Sequence, residues 1–127
     1  MIDVVPLAVL FDLDGTLIDT APEFVAIGLQ LRQAAGLPAI APEAIRSSVS
    51  DGAMGMVAAA LDMTTTDATF EDWRQRFLND YEKGLGQHSA PYPGLPKLVS
   101  ALASAGIKWG VVTNKLGRFA HPLMAKM

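Results

Sequence analysis

The stretch VVPLAVLFDLDG, residues 4–15, decides the fold of this chain. Residues 4–12 form a continuous apolar run, rich in Val and Leu, whose length suits a strand buried on both faces. Asp14 and Gly15 follow, and this pair is typical of a turn. The pattern predicts a central strand of a parallel sheet that ends beside two carboxylates, Asp12 and Asp14.

Helical patterns occupy the middle of the chain. Thr20 and Glu23 have the spacing of a capping box, and Thr69 with Asp72 is predicted to cap a later helix. We expect this block to be all-helical. The predicted helices are Ala21–Ala35, Pro42–Val49, Ala53–Leu61 and Phe70–Leu85.

A second strand pattern follows a boundary at Pro91 to Gly94. A helix is predicted at Leu95–Ala105, a buried strand at Ile107–Thr113, and a helix from Arg118 to Met127. Two buried strands around a helical block predict an α/β fold, namely a Rossmann-like parallel-sheet core with an inserted α-helical cap.

These boundaries divide the chain into a core, residues 1–19 and 91–127, and a helical cap, residues 20–90. Parallel sheets usually contain about four to six strands, whereas only two are predicted here. We therefore expect the core to be incomplete and to leave an unpaired sheet edge with exposed apolar surface.

Composition narrows the class of protein. The 127 residues are 50% hydrophobic, as in a packed globular domain, and their net charge of −3 without a basic cluster argues against a nucleic-acid partner. Because cysteine is absent, a bound metal needs oxygen or imidazole ligands, which favours a hard cation. Neither a signal peptide nor an apolar run of membrane-spanning length is found, so we expect a cytoplasmic protein without a membrane partner.

Asp12 and Asp14 are the candidate catalytic residues. Two positions apart in an extended chain, they point the same way. A carboxylate can attack phosphorus and a second one can protonate the leaving oxygen, so Asp12 is the predicted nucleophile and Asp14 the acid/base. Two anions repel a phosphate, so the site needs Mg²⁺ to bridge Asp12 and the substrate. An isolated Asp-Leu-Asp-Gly is more often a plain turn, but the flanking strand and helix favour the catalytic interpretation.

Thr113, Asn114 and Lys115 follow the second predicted strand. A Thr hydroxyl can donate to a phosphoryl oxygen, and free N–H groups at the start of a helix favour an anion. Alone, this segment is more often an ordinary strand end, and its pairing with Asp12 gives it weight. Lys115 either lends a positive charge to the phosphate site or is a substrate-side or solvent-facing residue.

Two segments carry a resemblance to a known family. FDLDGTLIDT, residues 11–20, resembles the first motif of the haloacid dehalogenase-like superfamily, and PGLPKLVSALASAGIKWGVVTNK, residues 93–115, contains a second motif, a Thr at a strand end. With its helical cap the chain is similar to the phosphoglycolate phosphatase branch. Residues 36–61 and 109–124 are most similar to the N-acetylmuramic acid 6-phosphate phosphatases of that branch.

The resemblance implies roles for individual residues. Asp12 would be phosphorylated, Asp14 would be the acid/base and bind Mg²⁺ through its backbone carbonyl, and Thr113 and Asn114 would hold the phosphoryl group. Thr16, within the first motif, is a further substrate-binding candidate. The cap would close over the site and exclude water.

The implied function is magnesium-dependent hydrolysis of a small phosphorylated metabolite, N-acetylmuramic acid 6-phosphate or 2-phosphoglycolate, through an aspartyl-phosphate. A sugar phosphomutase of the same branch and a catalytically inactive fragment remain alternatives. In the family, a third-motif Lys and a fourth-motif acidic pair follow the second motif, and neither is in these 127 residues. We therefore expect the 127 residues alone to have negligible phosphatase activity.

Weaker candidates lie around the site. Arg46, in the cap, either pairs with a substrate carboxylate or forms a surface ion pair. Asp19 either contacts the site or is solvated before Thr20. His88 and His121 are expected to be exposed.

Overall fold

A computed structural model describes residues 5–127, so Val4 of the first predicted strand lies outside the described residues. The strands are β1 (Ala8–Phe11), β2 (Ile18–Asp19), β3 (Ala90–Pro91) and β4 (Lys108–Val111). The helices are α1 (Ala21–Ala34), α2 (Pro42–Arg46), α3 (Gly52–Leu61), α4 (Phe70–Lys83), α5 (Leu95–Ser104) and α6 (Gly117–Lys126), with a 3₁₀ turn at Val49–Asp51.

The predicted parallel sheet is confirmed by the pairing of β1 with β4, in which Phe11 lies opposite Val111. Both strands are shorter than predicted. β1 ends at Phe11 because the chain then turns tightly, with the backbone N–H groups of Leu17 and Ile18 donating to the carbonyl of Leu13. Functional residues therefore follow the strands instead of lying in them.

One face of this sheet is exposed, contrary to the prediction of a strand buried on both faces. Leu10 is 68% exposed and Val112 is 61% exposed, whereas Phe11 and Val111 on the opposite face pack against the core. In the described part of the chain, β1 and β4 pair only with each other. The expected free sheet edge and exposed apolar surface are both present.

A second, antiparallel pair was missed by the sequence. Ile18 of β2 lies opposite Pro91, and Asp19 lies opposite Ala90 of β3. Two-residue strands are too short to give a period, and Pro is tolerated at a sheet edge. This two-stranded ribbon lies where the chain passes from the predicted core into the predicted cap and where it returns. The domain division itself stays a prediction.

The helical block packs around α1, α3 and α4, and its core extends to α6. An aromatic row crosses it: the ring centroids of Phe24 and Tyr81 are 4.8 Å apart, and those of Tyr81 and Phe119 are 5.2 Å apart. Since Phe119 belongs to α6, the row ties the helical block to the segment after β4. Within residues 5–127, no helix is long and apolar enough to cross a membrane.

Both predicted side-chain caps are wrong. Thr20 and Thr69 have helical backbone angles instead of the extended angles of a capping residue, and neither makes a side-chain cap hydrogen bond. Thr69 donates to the carboxylate of Asp67. The buried Glu23 carboxylate accepts from the Gln87 N–H at 3.0 Å and from the Ser89 hydroxyl.

The helix ends differ from prediction by a few residues. The largest change is at Pro42–Val49, where α2 stops at Arg46. The Ser48 N–H donates to the carbonyl of Ile45, three residues back, which tightens the chain into 3₁₀ geometry.

Candidate active site

The carboxyl ends of β1 and β4 bring the two predicted motifs together. Since Phe11 lies opposite Val111, the turn after β1 and the segment after β4 leave the sheet side by side. Lys115 reaches across, and its Nζ lies 2.9 Å from Asp14 Oδ1 and 3.2 Å from Asp14 Oδ2. Ligands of open α/β sheets bind at this edge.

Asp12 is exposed at the end of β1. Its Oδ1 accepts a hydrogen bond from the Leu13 N–H at 2.8 Å, and none of the ion pairs formed among the described residues involves its carboxylate. The Leu13 N–H thus orients the Asp12 carboxylate, and no cation of the described residues neutralises its charge. This environment suits a nucleophile or a metal ligand.

Asp14 has a different environment. Its carboxylate accepts from the Thr20 hydroxyl at 2.8 Å as well as from Lys115. Gly15 turns the chain away with φ of +76°, a region that favours glycine. Asp14 is therefore held between a buried hydroxyl and a cation, and the two aspartates do not share one environment.

Lys115 is largely buried, with its side chain 6% exposed. The ammonium lies 5.1 Å from the centroid of the Phe24 ring and 4.7 Å from that of Tyr81. Ring faces attract a cation, and the Asp14 carboxylate balances its charge. The alternative of a solvent-facing Lys115 is wrong.

Tyr81 is a site residue that sequence reasoning missed. Its hydroxyl is buried and has no hydrogen-bond partner among residues 5–127. Burial raises the pKa of the Tyr81 phenol, and the carboxylates of Asp14 and Glu23 raise it further, so the hydroxyl remains a donor. In the sequence Tyr81 is only one apolar position of a helix, which gives no functional signal.

The structure brings only some of the other predicted residues to this group. The Thr113 hydroxyl accepts from the Lys115 N–H at 3.1 Å, and Asn114 is exposed beside it. Thr16 is exposed in the turn after β1. Arg46 is exposed on α2, away from this group, and forms none of the ion pairs found in the described chain. The predicted roles of these residues stay predictions.

Three further side chains had been considered. His88 and His121 are exposed, as expected. The alternative of a solvated Asp19 does not hold for its Oδ1, which is buried and has no hydrogen-bond partner in the described chain.

A cavity of about 410 Å³ lies between the segment after β4 and the helical block. Its polar wall includes Asp14, Asn114 and Lys115, while Ser50 approaches from the 3₁₀ turn and Gly52 from the start of α3. Arg46 does not line it. The remaining wall is apolar and aromatic: Phe24, Val49, Ala53, Met56, Phe77, Leu78, Tyr81, Leu116 and Phe119.

The available metal donors are oxygens. No three His, Asp or Glu side chains of the described region lie close enough together to hold a metal ion. Mg²⁺ is commonly bound by one or two carboxylates while water and substrate phosphate supply the other ligands. The free carboxylate of Asp12 fits that pattern, whereas the Asp14 carboxylate already faces the Lys115 ammonium.

The chain is similar to proteins of one known family. The haloacid dehalogenase-like hydrolase family matches residues 9–127. The chain is 48% identical over 120 residues to an N-acetylmuramic acid 6-phosphate phosphatase of Pseudomonas aeruginosa, covering 94% of this chain and 53% of that protein. It is 40% identical over 125 residues to a phosphoglycolate phosphatase of Xanthomonas campestris pv. campestris, covering 96% and 55%.

A solved structure has a similar fold. The crystal structure of a predicted phosphoglycolate phosphatase from Haemophilus somnus superimposes with a TM-score of 0.77 at 25% identity, covering 94% of this chain and 56% of that one. The chain spans about half the length of the curated relatives it matches. Since the family match extends from β1 to the last residue, the chain belongs to the haloacid dehalogenase-like hydrolase family.

Proposed function

We propose that this chain carries the nucleophile-bearing part of a phosphomonoester hydrolase that acts through an aspartyl-phosphate. The observation that carries the proposal is the free, backbone-oriented carboxylate of Asp12 beside the segment Thr113–Lys115. Relatives named as phosphatases support it.

The proposed reaction has two steps. One Asp12 carboxylate oxygen forms a bond to phosphorus while the ester P–O bond breaks, and Asp14 gives a proton to the leaving oxygen. Water then attacks the aspartyl-phosphate, its proton passes to Asp14, and phosphate leaves. Asp14 can serve both steps because the proton that it gives to the leaving oxygen in the first step is restored by the attacking water in the second.

Positive and donor groups oppose the phosphate charge in this proposal. The Thr113 hydroxyl, the Asn114 amide and the Lys115 ammonium lie at the end of β4. Mg²⁺, held by the Asp12 carboxylate and the Asp14 carbonyl, would neutralise charge between Asp12 and the phosphate. Electrostatic stabilisation of this kind is usually the largest catalytic contribution.

Residues 20–90 are proposed to form the cap, with the core in residues 1–19 and 91–127. The β2–β3 ribbon at the two crossings and the cavity between core and helical block support this division. A cap in that position would exclude water from the phosphoryl group. The proposed substrates are N-acetylmuramic acid 6-phosphate and 2-phosphoglycolate, which the names of the relatives suggest.

A chimera tests the proposal. This chain would replace the matching residues of the Pseudomonas aeruginosa relative, and magnesium-dependent release of phosphate from both proposed substrates would be measured. We expect D12N to abolish turnover and the acid-stable, hydroxylamine-sensitive phosphoenzyme, while D72N, the control at an exposed aspartate of α4, still forms it. Normal turnover by D12N would exclude Asp12 as the nucleophile.

A further inference from the structure

The ring of Tyr81 is held by three neighbouring side chains. Its ring packs against Phe24 and Phe119, with centroids 4.8 and 5.2 Å away. The Lys115 ammonium lies 4.7 Å from its centroid. Each of these contacts involves the ring, so a Phe at this position would pack equally well.

The hydroxyl is therefore unexplained by folding. Buried hydroxyl groups are nearly always hydrogen-bonded, and an unpaired one in a native protein calls for an explanation such as a ligand. The Tyr81 hydroxyl has no partner in residues 5–127, and the side chain lines the cavity between the helical block and the segment after β4. An oxygen atom of a ligand would satisfy it.

The cavity has the character of a site for the organic part of a substrate. Its volume of about 410 Å³ lies in the range of about 300–1,000 Å³ that is usual for small-molecule pockets. Aromatic and aliphatic side chains form most of its wall, with few polar groups among them. A two-carbon acid would leave this wall uncovered, whereas a sugar ring would cover it with its apolar faces.

We propose that Tyr81 is a specificity-determining residue, whose hydroxyl donates a hydrogen bond to an oxygen of the substrate's organic part, and that the cavity selects a sugar phosphate over a two-carbon phosphate. The inference rests on the proposed function, since it assigns the substrate class of that same site. Lys115 contacts both the Tyr81 ring and Asp14, so Tyr81 lies next to the proposed phosphate site.

The test is a binding measurement on the chimera with the Pseudomonas aeruginosa relative, which carries D12N so that the substrates are not hydrolysed and is otherwise wild type. Dissociation constants for N-acetylmuramic acid 6-phosphate, 2-phosphoglycolate and inorganic phosphate are measured with Mg²⁺ by calorimetry, for the wild type, Y81F and Y92F. The other tyrosine, Tyr92, is half-buried outside the cavity, so Y92F is the matched control. We expect Y81F to weaken the sugar phosphate about tenfold, as loss of one buried hydrogen bond does, and to leave the other two probes unchanged.

A second measurement separates this role from a structural one. Because the Tyr81 hydroxyl has no partner in the described chain, Y81F should raise the melting temperature of the ligand-free chain or leave it unchanged while it weakens sugar phosphate binding. Equal affinity of Y81F and the wild type for the sugar phosphate, or tighter binding of 2-phosphoglycolate than of the sugar phosphate, would overturn the specificity proposal alone. Failure of all three probes to bind the wild type would overturn both this inference and the proposed function.

Discussion

The ammonium of Lys115 lies 2.9 Å from Asp14 Oδ1, although 101 positions separate the two residues in the sequence. Lys115 follows β4 and Asp14 follows β1, so the ion pair joins the two strand ends that the parallel sheet brings together. Asp14 is also bonded to Thr20 at the start of α1. One carboxylate thus connects both strand ends with the first helix.

This ion pair should contribute to stability. K115M removes a mostly buried cation from Asp14, and because Asp14 is partly exposed we expect the free energy of unfolding to fall by about 1–2 kcal/mol. In a cycle with D14N, urea unfolding should show that the double variant loses less than the sum of the single variants. K97M, at an exposed lysine of α5, should change stability by less than about 0.5 kcal/mol. Additive losses would mean that the two groups do not interact.

Thr20 should act through Asp14 and not as a helix cap. T20V keeps the shape and loses the hydroxyl, so unfolding should require about 1–2 kcal/mol less, while T20S retains the bond. T20D would improve an ordinary cap, but here it places a second carboxylate beside Asp14 and should destabilise more than T20V. T69V, which removes an exposed Thr–Asp bond, should have a smaller effect. Thermal unfolding measures all four, and stabilisation by T20D would restore the capping interpretation.

Tyr81 should make the chain sensitive to alkali. Burial raises the pKa of its phenol in the folded chain, whereas in the unfolded chain the phenol loses its proton near pH 10. The stability that depends on this phenol keeping its proton is therefore complete below about pH 10. It decreases as the pH rises above that value. Between about pH 9 and about pH 11 the unfolding free energy of the wild type should fall more steeply than that of Y81F.

The absorbance of phenolate provides an independent check. In Y92F, Tyr81 is the remaining tyrosine, and its ionisation should coincide with alkaline unfolding. A smooth titration of the folded chain near pH 10 would contradict the buried position of the hydroxyl.

The exposed face of the sheet should cause self-association. Leu10 of β1 and Val112, directly after β4, lie on that face, and exposed apolar patches at a sheet promote aggregation. L10T combined with V112T keeps strand propensity and should reduce light scattering and dye binding without lowering the melting temperature. M54T, at an exposed methionine of α3, is the control. Equal scattering by the double variant and the wild type would show that another surface is responsible.

Sequence reasoning succeeded where the signal is local. The apolar run before Asp12 predicted a strand, the helical periods predicted all the longer helices to within a few residues, and the two strand ends predicted where the candidate site lies. Each of these depends on neighbouring residues, through side-chain period and backbone preference. The cap at Thr20 failed because its backbone is helical and its hydroxyl, which accepts from no helix N–H, donates to the Asp14 carboxylate that the turn brings close.

The sequence by itself therefore determined the α/β class, the order of the longer elements and the candidate residues Asp12, Asp14 and Thr113. Only the tertiary structure decided that Lys115 is buried against Asp14. It also decided that the Tyr81 hydroxyl is buried without a hydrogen-bond partner in the described chain. The reason is physical: periodicity reports which face of an element is apolar, whereas the partner of a polar group depends on which distant elements pack against it. Lys115 and Asp14 meet because β1 and β4 pair in one register.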